Sequence, residues 1–284
     1  MKIEIVAKKI NILGEGPTWD EKNRRLYWVD ITGKRFYYLD PDNEKVEVFP
    51  ALGMISSIVT TNKENILAAT EDHSLYLIDN KTGMHSLVTT VESERMNTRF
   101  NDGKVDPFGR YVAGTMDMQE KNPIGSLYVL SGNDVKKILG NLTISNGMAW
   151  DVKNQVFYYI DSPTKKVNKY YFDKNMNIEL IGTAIDFKHE IGVPDGMSID
   201  LEGNLWVAHW GGGKISIWNP NKGRKIDQIS FPAENITSCT FGGDGLTDLY
   251  VTSAANKGSS DLGGTLFRVR TDIQGSKSFS FLVS

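Results

Sequence analysis

The sequence predicts an all-β fold, a six-bladed β-propeller built of four-stranded blades, and three observations predict it. Short aromatic and β-branched runs recur through all 284 residues. Turn residues separate them at regular intervals. One polar position recurs once in every repeat.

The runs form two sets. The first is Leu26–Val29, Ile66–Ala69, Tyr111–Ala113, Val156–Ile160, Leu205–Ala208 and Leu249–Thr252. A second run follows each of these: Arg35–Leu39, Ser74–Ile78, Ser126–Leu130, Val167–Phe172, Lys214–Trp218 and Thr265–Val269. Each has the length and composition of a strand. Turn signals lie at Asp20–Asn23, Asp106–Gly109, Asp151–Asn154 and Asp200–Gly203. Aligned on those turns, the chain divides into units near 14–50, 54–90, 99–140, 144–186, 193–231 and 236–279. Six units in 284 residues come to about 47 residues each, which matches the roughly 40–50 of a four-stranded blade. A β-sandwich of evenly spaced strands is the alternative, but the repeated unit is longer than one hairpin. Residues 1–9 alternate apolar and polar like a strand. They are expected to pair into the C-terminal blade and close the ring, which removes two exposed edges. Residues 1–284 are read as a single propeller domain.

Composition narrows the function classes. Apolar residues make up 40% and charged residues 24%, the balance of an ordinary globular protein. The net charge is −3, and no Lys/Arg cluster reaches the density a nucleic-acid surface needs. No stretch approaches the ~20 apolar residues of a membrane-spanning helix. The single cysteine, Cys239, rules out an internal disulfide and suits a reducing compartment. The first residues lack a signal-peptide apolar run, so the expected location is the cytoplasm. The glycosylation-like triplets at Asn141 and Asn235 are then chance matches.

Counting five residues back from each inter-strand turn gives Glu15 from Asp20, Asn101 from Asp106, Asn146 from Asp151 and Asp195 from Asp200. The second and sixth units lack the turn Asp; aligned by their strands they give Ser56 and Ser238. The spacings are 41, 45, 45, 49 and 43 residues. Equivalent positions on the innermost strands of a propeller converge on its axis, so six polar side chains are expected to meet there, two of them carboxylates. Bare carboxylates brought together are costly unless a cation or proton compensates. An all-oxygen set of Glu, Asp and Asn suits one hard divalent cation such as Ca²⁺, Mg²⁺ or Mn²⁺. The competing reading is a set of plain hairpin turns at Asn101–Gly103, Asn146-Gly147 and Asp195-Gly196. A second turn signal follows each within a few residues, so Met148–Trp150 and Met197–Ile199 must be short strands, with the first signal at their entrance.

Other chemistry finds no support. Gly211–Lys214 lacks the frame of a P-loop, and His189-Glu190 lacks the second His of a zinc motif. Asp40–Asn43 starts like an EF-hand loop but fails at Lys45 and Ala51 and reads as a turn. No nucleophile elbow occurs. Cys239 reads as a small packed side chain. None of His73, His85, His189 and His209 shares a repeated position.

The markers Gly14–Trp19, Arg99–Lys104, Gly114–Met116, Gly125–Tyr128, Ser145–Gly147, Pro194–Gly196 and Phe241–Gly243, in this order and spacing, resemble the gluconolactonase/regucalcin (senescence-marker-protein-like) family of six-bladed propellers. The resemblance covers nearly the whole chain. It implies a carboxylic ester hydrolase of carbohydrate metabolism that opens a sugar lactone using one divalent metal (Ca, Mn, Mg, Zn or Fe). Glu15, Asn146 and Asp195 match the family's metal-binding residues. Arg99 and Asn101 match its substrate-contacting Arg and Asn. A substrate-contacting Glu of close relatives falls at Gln119, with Glu120 beside it, and this contact is left unassigned. Hydrolysis is expected to use the metal as a Lewis acid on the lactone carbonyl, with Asp195 orienting or deprotonating water. The segment 117–123 is expected to overhang the channel. The partner is a small-molecule lactone, with no nucleic acid and no membrane; oligomeric state is not readable. Two alternatives stay open: a calcium-binding regulatory propeller with little catalysis, and a phosphotriesterase-type hydrolase.

Overall fold

The computed structural model describes residues 2–132, 134–175, 177–255 and 262–283. Six four-stranded antiparallel sheets carry the fold. Their innermost strands are Gly14–Asp20, Ile55–Thr60, Thr98–Val105, Ser145–Asp151, Val193–Ile199 and Asn235–Gly242. Each contacts the next, and the sixth contacts the first, so the sheets close a ring: a six-bladed β-propeller. The two expected sets of runs are the second and third strands of the blades. Burial follows this order. The innermost strand Gly14–Asp20 is buried at every position, whereas the outermost strand Lys45–Pro50 has no buried residue.

The sixth blade is assembled from both ends of the chain. Ile3–Ala7 pairs antiparallel with Leu266–Arg270, as the alternation of the first residues predicts. Residues 256–261, inside the sixth expected unit, lie outside the described residues. The apolar core lies between blades. Tyr27, Val29 and Phe36 of blade one pack on Ile55, Ile58 and Leu67 of blade two. Tyr158, Ile160 and Val167 of blade four pack on Met197, Leu205 and Val207 of blade five. Side chains on both faces of the second strands therefore stay dry, which is why those strands read as near-continuous apolar runs.

The turn aspartates build the turns. Asp20 accepts the Asn23 N–H at 3.0 Å and its side-chain amide at 2.7 Å, and Asp151 does the same for Asn154. Asp40 likewise takes the Asp42 N–H and the Asn43 amide, so the EF-hand-like start is a turn.

Beyond Arg270 the chain crosses the end of the ring where the innermost strands finish. Gly275 donates to Leu246 O (2.9 Å), Ser276 to Ile199 O (3.0 Å), Phe281 to Thr60 O (2.9 Å) and Leu282 to Gly109 O (2.8 Å). This tail thus touches blades six, five, two and three. Phe281 is buried against Tyr111. A cavity of about 430 Å³ lies between residues 276–279 and the finishing ends of the innermost strands, with Thr18, Lys104, Trp150, Ser198 and Thr240 in its wall. Among the described residues, no helix is long and apolar enough to cross a membrane.

Candidate functional site

Each innermost strand slips register against its neighbour near its start. The slips fall between Glu15 and Thr18, Ile55 and Ser57, Phe100 and Gly103, Ser145 and Met148, Pro194 and Met197, and Ile236 and Ser238. A bulge frees residues from the ladder and re-aims their side chains. The approach to it is held from the second strand. Asp30 accepts the Ile12 and Leu13 N–H groups at 3.0 and 2.9 Å, and Glu15 follows two residues on. Asp161 accepts the Ile144 N–H at 2.8 Å, two residues before Asn146. After the bulge, blades approach too closely for a side chain. A Cβ on Gly147 would lie 2.5 Å from the Asp195 carbonyl oxygen, and one on Gly196 would lie 2.6 Å from Ser238 Cβ.

Glu15, Asn146 and Asp195, expected together from the spacing, are all buried at this end of the axis, with 8, 5 and 5% exposure. Among the described residues, Glu15 Oε2 accepts only the Gly16 N–H, at 3.1 Å. Asn146 donates to Ser162 Oγ at 3.1 Å, and Ser162 passes its own proton to Pro194 O at 2.7 Å, tying blades four and five together beside Asp195. The oxygens Asn146 Oδ1 and Asp195 Oδ1 are buried without a hydrogen-bond partner among the described residues. Such groups are rare and costly unless something absent from the polypeptide satisfies them.

Electrostatics repeat the point. Burial pushes the Glu15 carboxyl well above the usual carboxylate range, and the nearby Asp195 and Asp102 push it further. Burial does the same to Asp195, with Asp102 adding to it and Asn146 and the Gly196 N–H opposing. Two carboxylates and an amide oxygen, all hard donors with unspent lone pairs, fit a divalent cation. Counting only His, Cys, Asp and Glu, no group of three among the described residues is placed to hold a metal ion. The fit therefore depends on the Asn146 amide oxygen.

Arg99 lies beside this cluster. Its Nη1 donates to Phe100 O (2.8 Å) and Asn101 Oδ1 (3.0 Å). Asn101 in turn donates to Ser145 O at 2.8 Å, bridging blades three and four. Burial lowers the Arg99 pKa, opposed by the negative charges of Glu15, Glu120 and Asp72. The segment expected to overhang the channel is a tight loop. Asp117 gathers the N–H groups of Gln119, Lys121 and Asn122 at 2.8–3.2 Å and thereby sets the loop's shape. Glu120 sits in the left-handed region at φ 59°.

The six counted positions are not equal. Ser56 turns its hydroxyl to Thr70 Oγ1 of its own blade, at 2.8 Å. Ser238 fills the space opposite Gly196. Counting from the turn Asp missed Asp102, which is 5% exposed and next to Asn101. Its Oδ1 accepts the Gly103 N–H at 2.8 Å, and its Oδ2 is buried without a partner. The signal was available. Asp102 immediately precedes a glycine, as Glu15, Asn146 and Asp195 do. The histidines lie elsewhere: His85 pairs with Glu71 at 2.9 Å, and His209 bonds Ser216 at 2.6 Å. Cys239 is fully buried, which raises its thiol to about 12.

A six-bladed propeller that gathers buried carboxylates and an amide oxygen at one end of its axis is the class these features define. Residues 13–255 match the SMP-30/Gluconolactonase/LRE-like family model, and the chain belongs to that family. It is 37% identical over 258 residues to regucalcin of Danio rerio, covering 89% of this chain and 87% of that protein. It is 34% identical over 248 residues to YvrE of Bacillus subtilis, whose name proposes a sugar lactone lactonase, covering 87% of this chain and 85% of that protein. A solved luciferin-regenerating enzyme superimposes with a TM-score of 0.92 at 30% identity, covering 99% of both chains.

Proposed function

We propose that the protein hydrolyses the ester of a sugar lactone, using one divalent cation held by Glu15, Asn146 and Asp195. The observation that carries this reading is the pair of unpartnered buried oxygens, Asn146 Oδ1 and Asp195 Oδ1, beside the equally buried Glu15. Family membership supports the reaction class, as does the name of YvrE.

A divalent cation bound there supplies Lewis acidity to the lactone carbonyl. The remaining work falls to the chain. Asp195 orients the attacking water and takes its proton. Arg99 and Asn101 hold sugar hydroxyls at the rim, each already braced by the other at 3.0 Å. Pre-bracing limits the side-chain entropy lost when substrate docks.

A panel of sugar lactones assayed by acid release tests the proposal, run with chelator and then with Ca²⁺, Mn²⁺, Mg²⁺, Zn²⁺ and Fe²⁺ restored singly. Loss of turnover with chelator and its return with a cation is the expected result. Asp195→Ala should abolish turnover in a folded protein; near-normal hydrolysis by that variant sinks the assignment. Cation binding without turnover on any lactone would favour the calcium-binding reading instead.

A further inference from the structure

We propose that Asp102 is the charge-setting residue of the axial site: a fixed negative group outside the Glu15, Asn146 and Asp195 set that selects cations by their charge. The proposal rests on the cation reading of that site and goes beyond it, since Asp102 is neither among the positions counted from the turn aspartates nor among the residues matched to the family's metal and substrate contacts.

Four observations carry it. Asp102 lies in the register slip of the third innermost strand, the same slip that frees Asn146 and Asp195 in blades four and five. It is 5% exposed, and its Oδ2 has no partner. Its field reaches both Glu15 and Asp195. Yet it does not complete a chelating group of three acidic side chains with them. A carboxylate whose charge acts on two others without forming a metal-holding group of three with them acts through space.

Its counterweight is Lys104, two residues on. The Lys104 ammonium donates to Met197 O, two residues beyond Asp195, and makes no ion pair within 4.0 Å among the described residues. Burial raises the Asp102 carboxyl above its ordinary range, and the Lys104 charge and the Gly103 N–H oppose that rise. The axial region therefore holds the carboxyls of Glu15, Asp102 and Asp195 against Lys104 and Arg99. Removing one of the negative charges should weaken cation binding in proportion to the ion's own charge, because Coulomb energy scales with the product of the charges. The loss in log affinity for a trivalent ion should be about one and a half times that for a divalent one, because the charge product is larger in that ratio.

The experiment measures Ca²⁺ and Tb³⁺ affinity, by calorimetry and by terbium luminescence, in the full-length protein. Wild type, Asp102→Asn, Lys104→Met and Glu15→Gln are compared, with folding checked by circular dichroism. Asp102→Asn should weaken both ions, Tb³⁺ by several-fold more than Ca²⁺. Lys104→Met should strengthen both, again Tb³⁺ more. A purely structural disturbance would move the two ions equally. Should Asp102→Asn fail to fold, Lys104→Met decides by its opposite sign. Unchanged affinity in both variants, or equal loss for the two ions, overturns the proposal. If wild type binds neither ion, or Glu15→Gln changes nothing, the cation reading itself has failed, which is a different outcome.

Discussion

Asp195→Asn replaces one carboxylate oxygen by an amide nitrogen at almost constant volume, in a place where the protein offers that oxygen no partner. Two consequences follow for thermal stability, and they have opposite signs. Without cation, the wild-type carboxyl is raised well above its ordinary value, so the folded state binds more protons than the unfolded state once pH exceeds the ordinary Asp value. Stability from this group therefore falls as pH rises through that window, and at neutral pH the buried charge is a cost. The asparagine variant has no such charge and should melt at or above the wild-type temperature in chelator. With cation, the order reverses. A ligand at one hundred times its Kd stabilises the folded state by about 2.7 kcal/mol. At roughly 2–4 °C per kcal/mol for a chain of this size, wild type gains about 5–10 °C. Losing one of two charged ligands should weaken affinity about a hundredfold, and at the same cation concentration the gain shrinks to about 1 °C. Differential scanning fluorimetry in chelator and in excess Ca²⁺ or Mn²⁺ reads all four values. Equal cation-induced shifts in the two proteins, or a chelator-state variant melting several degrees below wild type, would refute the reasoning.

Three further outcomes are expected. Gly196→Ala places a methyl 2.6 Å from Ser238 Cβ and 2.9 Å from its Cα, so the innermost strands of blades five and six must separate; overpacking of this kind costs about 1–3 kcal/mol, seen as a lower melting temperature. Phe281→Ala removes the buried ring that stacks edge-on against Tyr111 at 5.9 Å, a loss of about 3–5 kcal/mol, and limited proteolysis should then cut within 271–283 before any blade. His209 is held neutral, its pKa lowered from 6.5 to about 4 by burial first and by the Lys214 charge second. The unfolded state takes up that proton first, so stability falls as pH drops from about 6.5 toward about 4, by on the order of 3 kcal/mol. His209→Gln should flatten the denaturation-midpoint profile across that window.

Much of this was legible in the chain because propeller blades repeat. Second and third strands such as Val156–Ile160 and Val167–Phe172 are packed between blades, so their apolar residues form dense, recognisable runs. The turn aspartates Asp20, Asp106, Asp151 and Asp200 are local devices, each satisfying N–H groups two to four residues away, and local devices repeat at fixed spacing. Closure by Ile3–Ala7 followed from alternation alone. The tail beyond Arg270 was not legible. Its contacts are scattered backbone hydrogen bonds and one buried ring, Phe281, reaching blades far apart in sequence, and they leave no periodic pattern.

By itself, then, the sequence determined the number of blades, the strand that closes them and the polar character of one axial position in each. Which of two adjacent residues holds the unspent oxygen at that position was decided by the tertiary structure. Asn101 and Asp102 both lie in the register slip of their strand. Asn101 finds Arg99 and the Ser145 carbonyl across the blade boundary, so its Oδ1 and one amide N–H each already have a protein partner. Asp102, one residue on, keeps an oxygen with no protein partner. Spacing along the chain cannot separate the two, because the choice depends on what the neighbouring blade presents opposite each of them.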